Sequence, residues 1–210
     1  MQFSHLHNHS QFSLLDGASK ISSMFKKAKE DNMPAVAITD HGNMFGVFQF
    51  VAEAGKHGVK PIVGFEFYLV TDRHKQVFTK ELKDKRYHQL FLAKNPEGYQ
   101  NLIKLCSLGF MEGMYSKYPR IDKELVLKYH KGLIATTCCL GASVPQAILR
   151  AGEDEAEKEF KWWLDLFGED YYVEVQNHHI PEQQVVNEVL LRFAKKYNVK
   201  VIASNDSHYL

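Results

Sequence analysis

Residues 35–70 read AVAITDHGNMFGVFQFVAEAGKHGVKPIVGFEFYLV, and this stretch decides the fold. Ala35–Thr39 is a short apolar run ended by Asp40, His41 and Gly42, the pattern of a buried strand running into a turn. Val47, Phe48, Phe50, Val51 and Ala54 then make an apolar stripe at helical spacing, and Gly58 closes it. Pro61–Val70 is a second apolar run, rich in β-branched and aromatic residues. A strand, a helix and a strand in this order make a parallel crossover unit.

The same alternation extends outward in both directions. Further strands are predicted at Phe3–Leu6, His88–Ala93, Leu133–Thr136, Tyr171–Gln176 and Val201–Ser204. Ile21, Met24, Phe25 and Ala28 fall on one helical face, which Asn32-Met33-Pro34 stops. Later helices are predicted at Glu97–Phe110, Lys123–Tyr129, Val144–Ala151, Asp154–Phe167 and Pro181–Tyr197. Seven strands alternating with helices argue for a mostly parallel α/β domain, either an open doubly wound sheet or a barrel. One connection departs from this scheme. Thr71–Tyr87 is a charged loop with no apolar stripe, so the strands on either side of it are expected to pair antiparallel.

Composition excludes several classes. A hydrophobic fraction of 45% and a charged fraction of 24% are ordinary globular values, which leaves no room for disorder or low complexity. A formal net charge of +1 provides no global field toward nucleic acid or membrane, so any DNA contact must come from local sites. The basic cluster from Arg73 to Arg86 is one such candidate, although a solvated loop is the slightly better reading of it. No apolar stretch approaches the ~20 residues needed to span a bilayer. Three cysteines, Cys106, Cys138 and Cys139, make a poor disulfide framework and fit a reducing, cytoplasmic setting. The excess is in histidine, at 11 residues, and it asks for a chemical explanation.

That explanation lies in the residues at and just beyond the strand ends. The first strand leads to His5-Leu6-His7-Asn8-His9 and then Asp16-Gly17. Residues two apart on an extended chain point the same way, so His7 and His9, or His5 and His7, can aim two imidazoles at one ion. The second strand ends in Thr39-Asp40-His41-Gly42, where Asp40 also reads as a cap for the next helix. The third carries Gly64-Phe65-Glu66, and the fourth opens at His88. The fifth runs into Cys138-Cys139-Leu140-Gly141, the sixth ends in Glu174-Val175-Gln176-Asn177-His178, and the seventh leads to Asp206-Ser207-His208. Imidazole, thiolate and carboxylate donors at one rim suit divalent transition ions such as Zn, Mn or Fe. So large a donor set implies two or three of them. Paired ions of this kind activate water and stabilise both oxygens of a phosphoryl transfer. His57, His74, His130 and His179 have no such setting and read as structural or solvated.

The run His5-Leu6-His7-Asn8-His9-Ser10, with Ser13-Leu14-Leu15-Asp16-Gly17, resembles the first motif of the polymerase-and-histidinol-phosphatase (PHP) family. Ala37-Ile38-Thr39-Asp40-His41-Gly42-Asn43, Lys60-Pro61-Ile62-Val63-Gly64-Phe65-Glu66, Leu92-Ala93-Lys94-Asn95 with Gly98-Tyr99-Gln100-Asn101-Leu102, and Ser204-Asn205-Asp206-Ser207-His208-Tyr209-Leu210 are more narrowly similar to the branch at the N-terminus of the bacterial replicative DNA polymerase III alpha subunit. The resemblance covers essentially the whole of residues 1–210. It implies a distorted seven-stranded (β/α) barrel of PHP type with metals at its C-terminal rim. Nine ligand positions carry over from the family: His7, His9, Asp16, His41, Glu66, His88, Cys139, Asp206 and His208. Cys139 rather than Cys138 matches the spacing to Leu140-Gly141. His5 stands where the broader family has Asp.

The resemblance further implies a role in DNA replication, as one domain of a longer polymerase chain whose palm, fingers and thumb are not in this sequence. The end at Leu210, with no helix to cover the last strand, reads as a fragment lacking its C-terminal end. The activity expected of the domain itself is metal-dependent phosphoesterase chemistry, in the form of 3′→5′ exonuclease proofreading at a DNA primer 3′ end. Asp16, His9 and His208 are its candidate catalytic residues. The expected partners are DNA, the polymerase core of the same polypeptide and a separate proofreading exonuclease subunit, with no membrane. Two rival expectations stand beside this one: a metal-stapled docking platform without catalysis, and a stand-alone small-molecule phosphatase similar to histidinol phosphatase.

Overall fold

The computed structural model describes residues 3–14 and 16–210; Met1, Gln2 and Leu15, the last within the first motif, lie outside the described residues. Seven strands and seven helices follow in chain order: α1 (Ile21–Glu30), β1 (Ala35–Ile38), α2 (Val47–His57), β2 (Lys60–Val70), β3 (Tyr87–Ala93), α3 (Pro96–Glu112), β4 (Arg120–Asp122), α4 (Lys123–Tyr129), β5 (Leu133–Thr136), α5 (Ser143–Arg150), α6 (Glu153–Phe167), β6 (Tyr171–Val175), α7 (Pro181–Tyr197) and β7 (Val201–Ala203). Local chemistry sets several boundaries. Asn95 accepts the Gly98 N–H at the start of α3, where Pro96 occupies a position needing no donor. Asp122 caps α4 through the Leu125 N–H. Glu153, Asp154 and Glu155 complement the positive N-terminal end of α6.

The strands form one curled sheet in the order β1-β2-β3-β5-β6-β7, with β4 on the far half of β2. β1 pairs parallel with the first half of β2, as the crossover unit requires. The expected reversal occurs across residues 71–86: β2 and β3 run antiparallel, with Tyr68 opposite His88 and Glu66 opposite Leu90. β5, β6 and β7 return to parallel pairing. The fold is a distorted α/β barrel.

Two sequence expectations need correction. Phe3–Leu6 does not form a strand. Instead residues 5–9 fill the gap between β1 and the segment after β7 with single hydrogen bonds to both sides. Ala37 N–H donates to the His5 carbonyl at 2.9 Å and Thr39 N–H to that of Asn8 at 2.9 Å. His9 N–H donates to the Ser207 carbonyl at 2.8 Å, and Ser207 N–H to that of His7 at 3.2 Å. Asn8 supports the irregular path by donating its side-chain amide to the His5 and Ala37 carbonyls. The second correction is β4, which the periodicity missed: a three-residue strand holding one Arg and one Asp carries no apolar alternation.

Strand alternation positions the chemistry. On β2, Phe65, Phe67 and Leu69 join the outer core with Phe91, Leu102, Leu105, Phe160 and Trp163 beneath the helices. Gly64, Glu66 and Tyr68 therefore face the barrel interior. Truncating a side chain as large and as fully buried as Trp163 would cost about 3–5 kcal/mol. Four residues before Glu66, Ile62 lines an apolar cavity of about 510 Å³ with Leu6, Leu92, Ile134, Tyr172 and Ile202. The interior is thus apolar at one end and donor-rich at the other.

The basic loop is not a free cationic arm. Arg73 is buried and holds Asp122 at 2.9 Å, Glu112 at 2.7 Å and Glu124 at 3.3 Å. Arg120 is fully buried and donates to the carbonyls of Gly113, Arg73 and Lys75 and to Asp84. Arg86 pairs with Asp84 and covers the Tyr118 ring at 3.8 Å. The solvated-loop reading holds only for Lys80, Lys83 and Lys85, which are exposed.

Candidate metal centre

The nine sequence-predicted ligands come together at one rim of the barrel, around the fully buried carboxylate of Glu66. Its Oε2 lies 2.8 Å from His41 Nδ1, 3.0 Å from His9 Nε2 and 3.5 Å from His7 Nε2. Its Oε1 lies 2.9 Å from His88 Nδ1 and 3.5 Å from the sulfur of Cys139. Asp206 Oδ1 approaches His9 Nε2 at 2.9 Å and His7 Nε2 at 3.3 Å. Asp16 Oδ2 stands 3.0 Å from His41 Nε2 and 3.4 Å from His208 Nε2. Overlapping groups of donor atoms, each compact enough for one ion, are His7, His9, Glu66 and Asp206; His9, His41 and His208; and His41, Glu66 and His88.

Hydrogen bonds behind the ligands orient them. The His7 Nδ1–H donates to Glu174 at 2.7 Å, which turns the Nε2 lone pair toward Glu66. Glu174 also accepts the hydroxyls of Thr136, at 2.6 Å, and Ser204, together with an amide N–H of Gln176 at 3.0 Å. Ser13 fixes the second imidazole. Its hydroxyl donates to Asp40 at 2.7 Å, so its lone pairs accept from His9 Nδ1–H and the His41 backbone N–H, both at 3.0 Å. In the neutral imidazole, His9 Nε2 is then the lone-pair nitrogen facing the cluster. His208 Nδ1–H donates to the Asp206 carbonyl at 2.8 Å, freeing its Nε2 in the same way. Gly141 lets the His88 ring lie close, since a Cβ there would meet the ring at 3.1 Å.

The supporting roles of these residues escaped sequence reasoning. Asp40 is not the cap of α2, which starts at Gly46 without a side-chain cap. It accepts from Ser10 N–H, Ser10 hydroxyl and Ser13 hydroxyl instead. Glu174 had a detectable signal: a carboxylate flanked by valines inside an apolar strand must find buried partners. His178 donates to the Asn205 carbonyl at 2.7 Å and so steadies the loop carrying Asp206. His5 lies apart from the cluster, edge-on to Phe3.

Electrostatics follow from burial against charge. Burial alone would hold His9 low, but Asp206 and Glu66 raise it to about 9. Burial likewise opposes protonation of His88, and Glu66 and Cys139 carry it up to about 11. Glu66 and Glu174 are each held below the usual carboxylate range, because neighbouring imidazoles outweigh the burial that would raise them. The two thiols diverge. The contact with Cys138, together with His88, lowers Cys139 against its burial, whereas burial pushes Cys138 well up.

The donor set fits cations. His7 Nε2, His41 Nδ1 and Glu66 Oε2 are buried yet lack a hydrogen-bond partner of acceptable geometry, and both nitrogens face the Glu66 oxygen. Three orphaned atoms of this type, where the described residues otherwise satisfy nearly all their buried polar groups, fit a cation site among them. Beyond Asp16, His41 and His88, a cleft of about 1050 Å³ opens along Tyr68, Tyr118, Lys85, Arg86, Lys123 and Arg150.

The family model of the PHP domain matches residues 5–178. The DNA polymerase III alpha subunits of Borreliella burgdorferi and Thermus aquaticus are each 46% identical over the full length of this chain. That of Aquifex aeolicus is 48% identical over 99% of it. The chain spans 17–18% of the length of these relatives. Two solved structures share the fold: a candidate metal-dependent phosphoesterase of Bifidobacterium adolescentis (TM-score 0.61, 18% identity, 99% of this chain and 88% of that one) and an amidohydrolase of Chromobacterium violaceum with bound sulfate (0.62, 15%, 98% and 87%). No helix among the described residues is long and apolar enough to cross a membrane. Matched by the family model across more than four-fifths of its length, and carrying the donor cluster at the barrel rim, the chain belongs to the PHP domain family.

Proposed function

We propose that this domain seats two or three divalent transition ions and hydrolyses phosphodiesters at the 3′ end of a DNA primer, within a DNA polymerase III alpha chain. The observation that supports this most is the position of Glu66, whose two oxygens face separate donor groups while Asp16, His41 and His88 border a cleft. His7, His9, Asp206 and Glu66 Oε2 would hold one ion, and His88, Cys139 and Glu66 Oε1 a second, with His41 on the Oε2 side. His208 and Asp16 complete the side toward solvent. Bound ions of this kind lower the pKa of water and neutralise charge on a transferring phosphoryl group.

The chain's own residues supply position and proton handling. Glu174 and Ser13 fix the two buried imidazoles, so the donor geometry exists before substrate arrives. Of the two histidines considered for proton transfer, His9 is fully buried and serves as a ligand. His208 reaches solvent, with its side chain 21% exposed, and its Nδ1–H is committed to the Asp206 carbonyl, so Nε2 is the nitrogen left to face an ion or a substrate. Asp16, with its side chain 56% exposed, orients that nitrogen.

Purified without chelators, the protein should carry two or three divalent ions by elemental analysis; none would count against the reading. Asp16→Ala or Glu66→Ala should abolish metal-stimulated removal of a 3′ mismatch from a labelled primer. Undiminished activity would assign the hydrolysis to a contaminating nuclease. The full burial of His7, His9 and Glu66 favours a second reading, in which the cluster is a closed staple and the domain docks a separate proofreading exonuclease subunit and the polymerase core. Metal-loaded protein that hydrolyses neither primer nor a small phosphodiester supports that alternative.

A further inference from the structure

Adjacent residues of an extended chain point to opposite sides, yet Cys138 and Cys139 do not. Cys138 has a φ of 58°, in the left-handed region that costs a non-glycine residue of order 1 kcal/mol or more. This twist turns both sulfurs to the same atom: each Sγ lies 3.5 Å from Glu66 Oε1. The Cys138 backbone is held there by its N–H, which donates to the Thr136 hydroxyl at 3.0 Å. Thr136 in turn donates to Glu174, so the conformation is tied to the support of His7. Cys139 Sγ is also 3.5 Å from His88 Nδ1.

These separations match tetrahedral coordination. A thiolate at ~2.3 Å and a carboxylate oxygen at ~2.1 Å from one ion, at the tetrahedral angle, stand ~3.6 Å apart, and a thiolate and an imidazole nitrogen stand at nearly the same distance. The pair of cysteines with Glu66 is also a compact donor group by itself. Glu66 thus divides two kinds of chemistry. Oε2 faces only imidazoles, and Oε1 faces two thiols and His88.

We infer that Cys138 is a further metal ligand, and that Cys138, Cys139, His88 and Glu66 Oε1 form a thiol-rich seat for a zinc-type ion beside an imidazole-rich site of different preference. Two sulfurs select for a thiophilic ion at this position and against Mn or Mg. The backbone strain at Cys138 is retained because it delivers the second sulfur. The inference rests on the reading of the cluster as a cation site.

The test is titration of the chelator-stripped protein with Co²⁺, read by the near-ultraviolet sulfur-to-cobalt absorption, whose intensity follows the number of bound thiolates. Cys138→Ser and Cys139→Ser should each reduce the band to about half of its wild-type value, and the double variant should lose it. Cys138→Gly is the control for folding, since glycine accepts the left-handed conformation without strain. In the metal-free state it should still unfold in one cooperative transition, as wild type does, and after cobalt loading give the halved band. A full-intensity band in Cys138→Ser or Cys138→Gly overturns the role of Cys138 and leaves the cation site standing. Wild-type protein that retains no cobalt overturns both.

Discussion

Glu174 sits behind the metal centre and touches no expected substrate, which makes it a sharp probe of how the site is assembled. Glu174→Gln keeps the oxygen that accepts from His7 Nδ1–H, Ser204 and Gln176, and replaces the other by an amide that the Thr136 hydroxyl can accept from. The packing survives, and the negative charge that makes His7 a stronger ligand is lost. Removing such a partner lowers metal affinity about 10- to 100-fold, or about 1.4–2.7 kcal/mol. Glu174→Ala does more. It leaves the His7 Nδ1–H, two hydroxyls and a Gln176 amide without their acceptor in a fully buried space. The expected loss of folding stability is about 3–5 kcal/mol. The assay is competition with a chromophoric zinc chelator for the Gln variant, and urea unfolding of the metal-free protein for the Ala variant. Wild-type zinc affinity in Glu174→Gln, combined with wild-type stability in Glu174→Ala, would refute the claim that this carboxylate fixes His7.

Three more outcomes are expected from the geometry. Gly141→Ala should displace the half-exposed His88 ring by a few tenths of an ångström, lowering bound metal by elemental analysis while leaving circular dichroism unchanged; full metal content would contradict the close packing seen there. Arg120→Met removes every anchor that Arg120 gives the 71–86 loop and should cost about 3–5 kcal/mol in urea unfolding, with a loss under about 1 kcal/mol refuting the clasp. Stripping the ions should raise amide exchange in residues 5–9 and 204–208 together by mass spectrometry, because the ligands of both segments share cations; exchange rising in one alone would separate them.

Much of this was legible in the sequence because the signals are local. Apolar stripes and caps place α1 to α7, and a missing stripe across residues 71–86 gives the antiparallel turn that brings His88 beside Glu66. What escaped depends on distant pairing. Residues 5–9 hydrogen-bond to both neighbours but never in a continuous ladder, so alternation suggested a strand that the backbone does not form. β4 is short and charged, and its burial is made possible by Arg73 meeting Asp122 across 49 residues. Lys and Arg in the basic loop looked available to DNA because sequence does not show that Arg73 and Arg86 are taken up by Asp122, Glu112, Glu124 and Asp84. The two cysteines were separated only by spacing, since the backbone twist that turns both sulfurs inward has no sequence periodicity.

The seam between residues 5–9 and 204–208 carries a temporal consequence. His9 meets Asp206 across 197 positions of sequence. During synthesis the imidazoles of the first motif emerge long before the partners that complete their pocket, which follow 197 positions later. A nascent chain can therefore assemble its helices and most of its sheet while still unable to capture ions tightly. On the proposed reading, metal acquisition would come late in the folding of this domain and would lock the two segments together in one act.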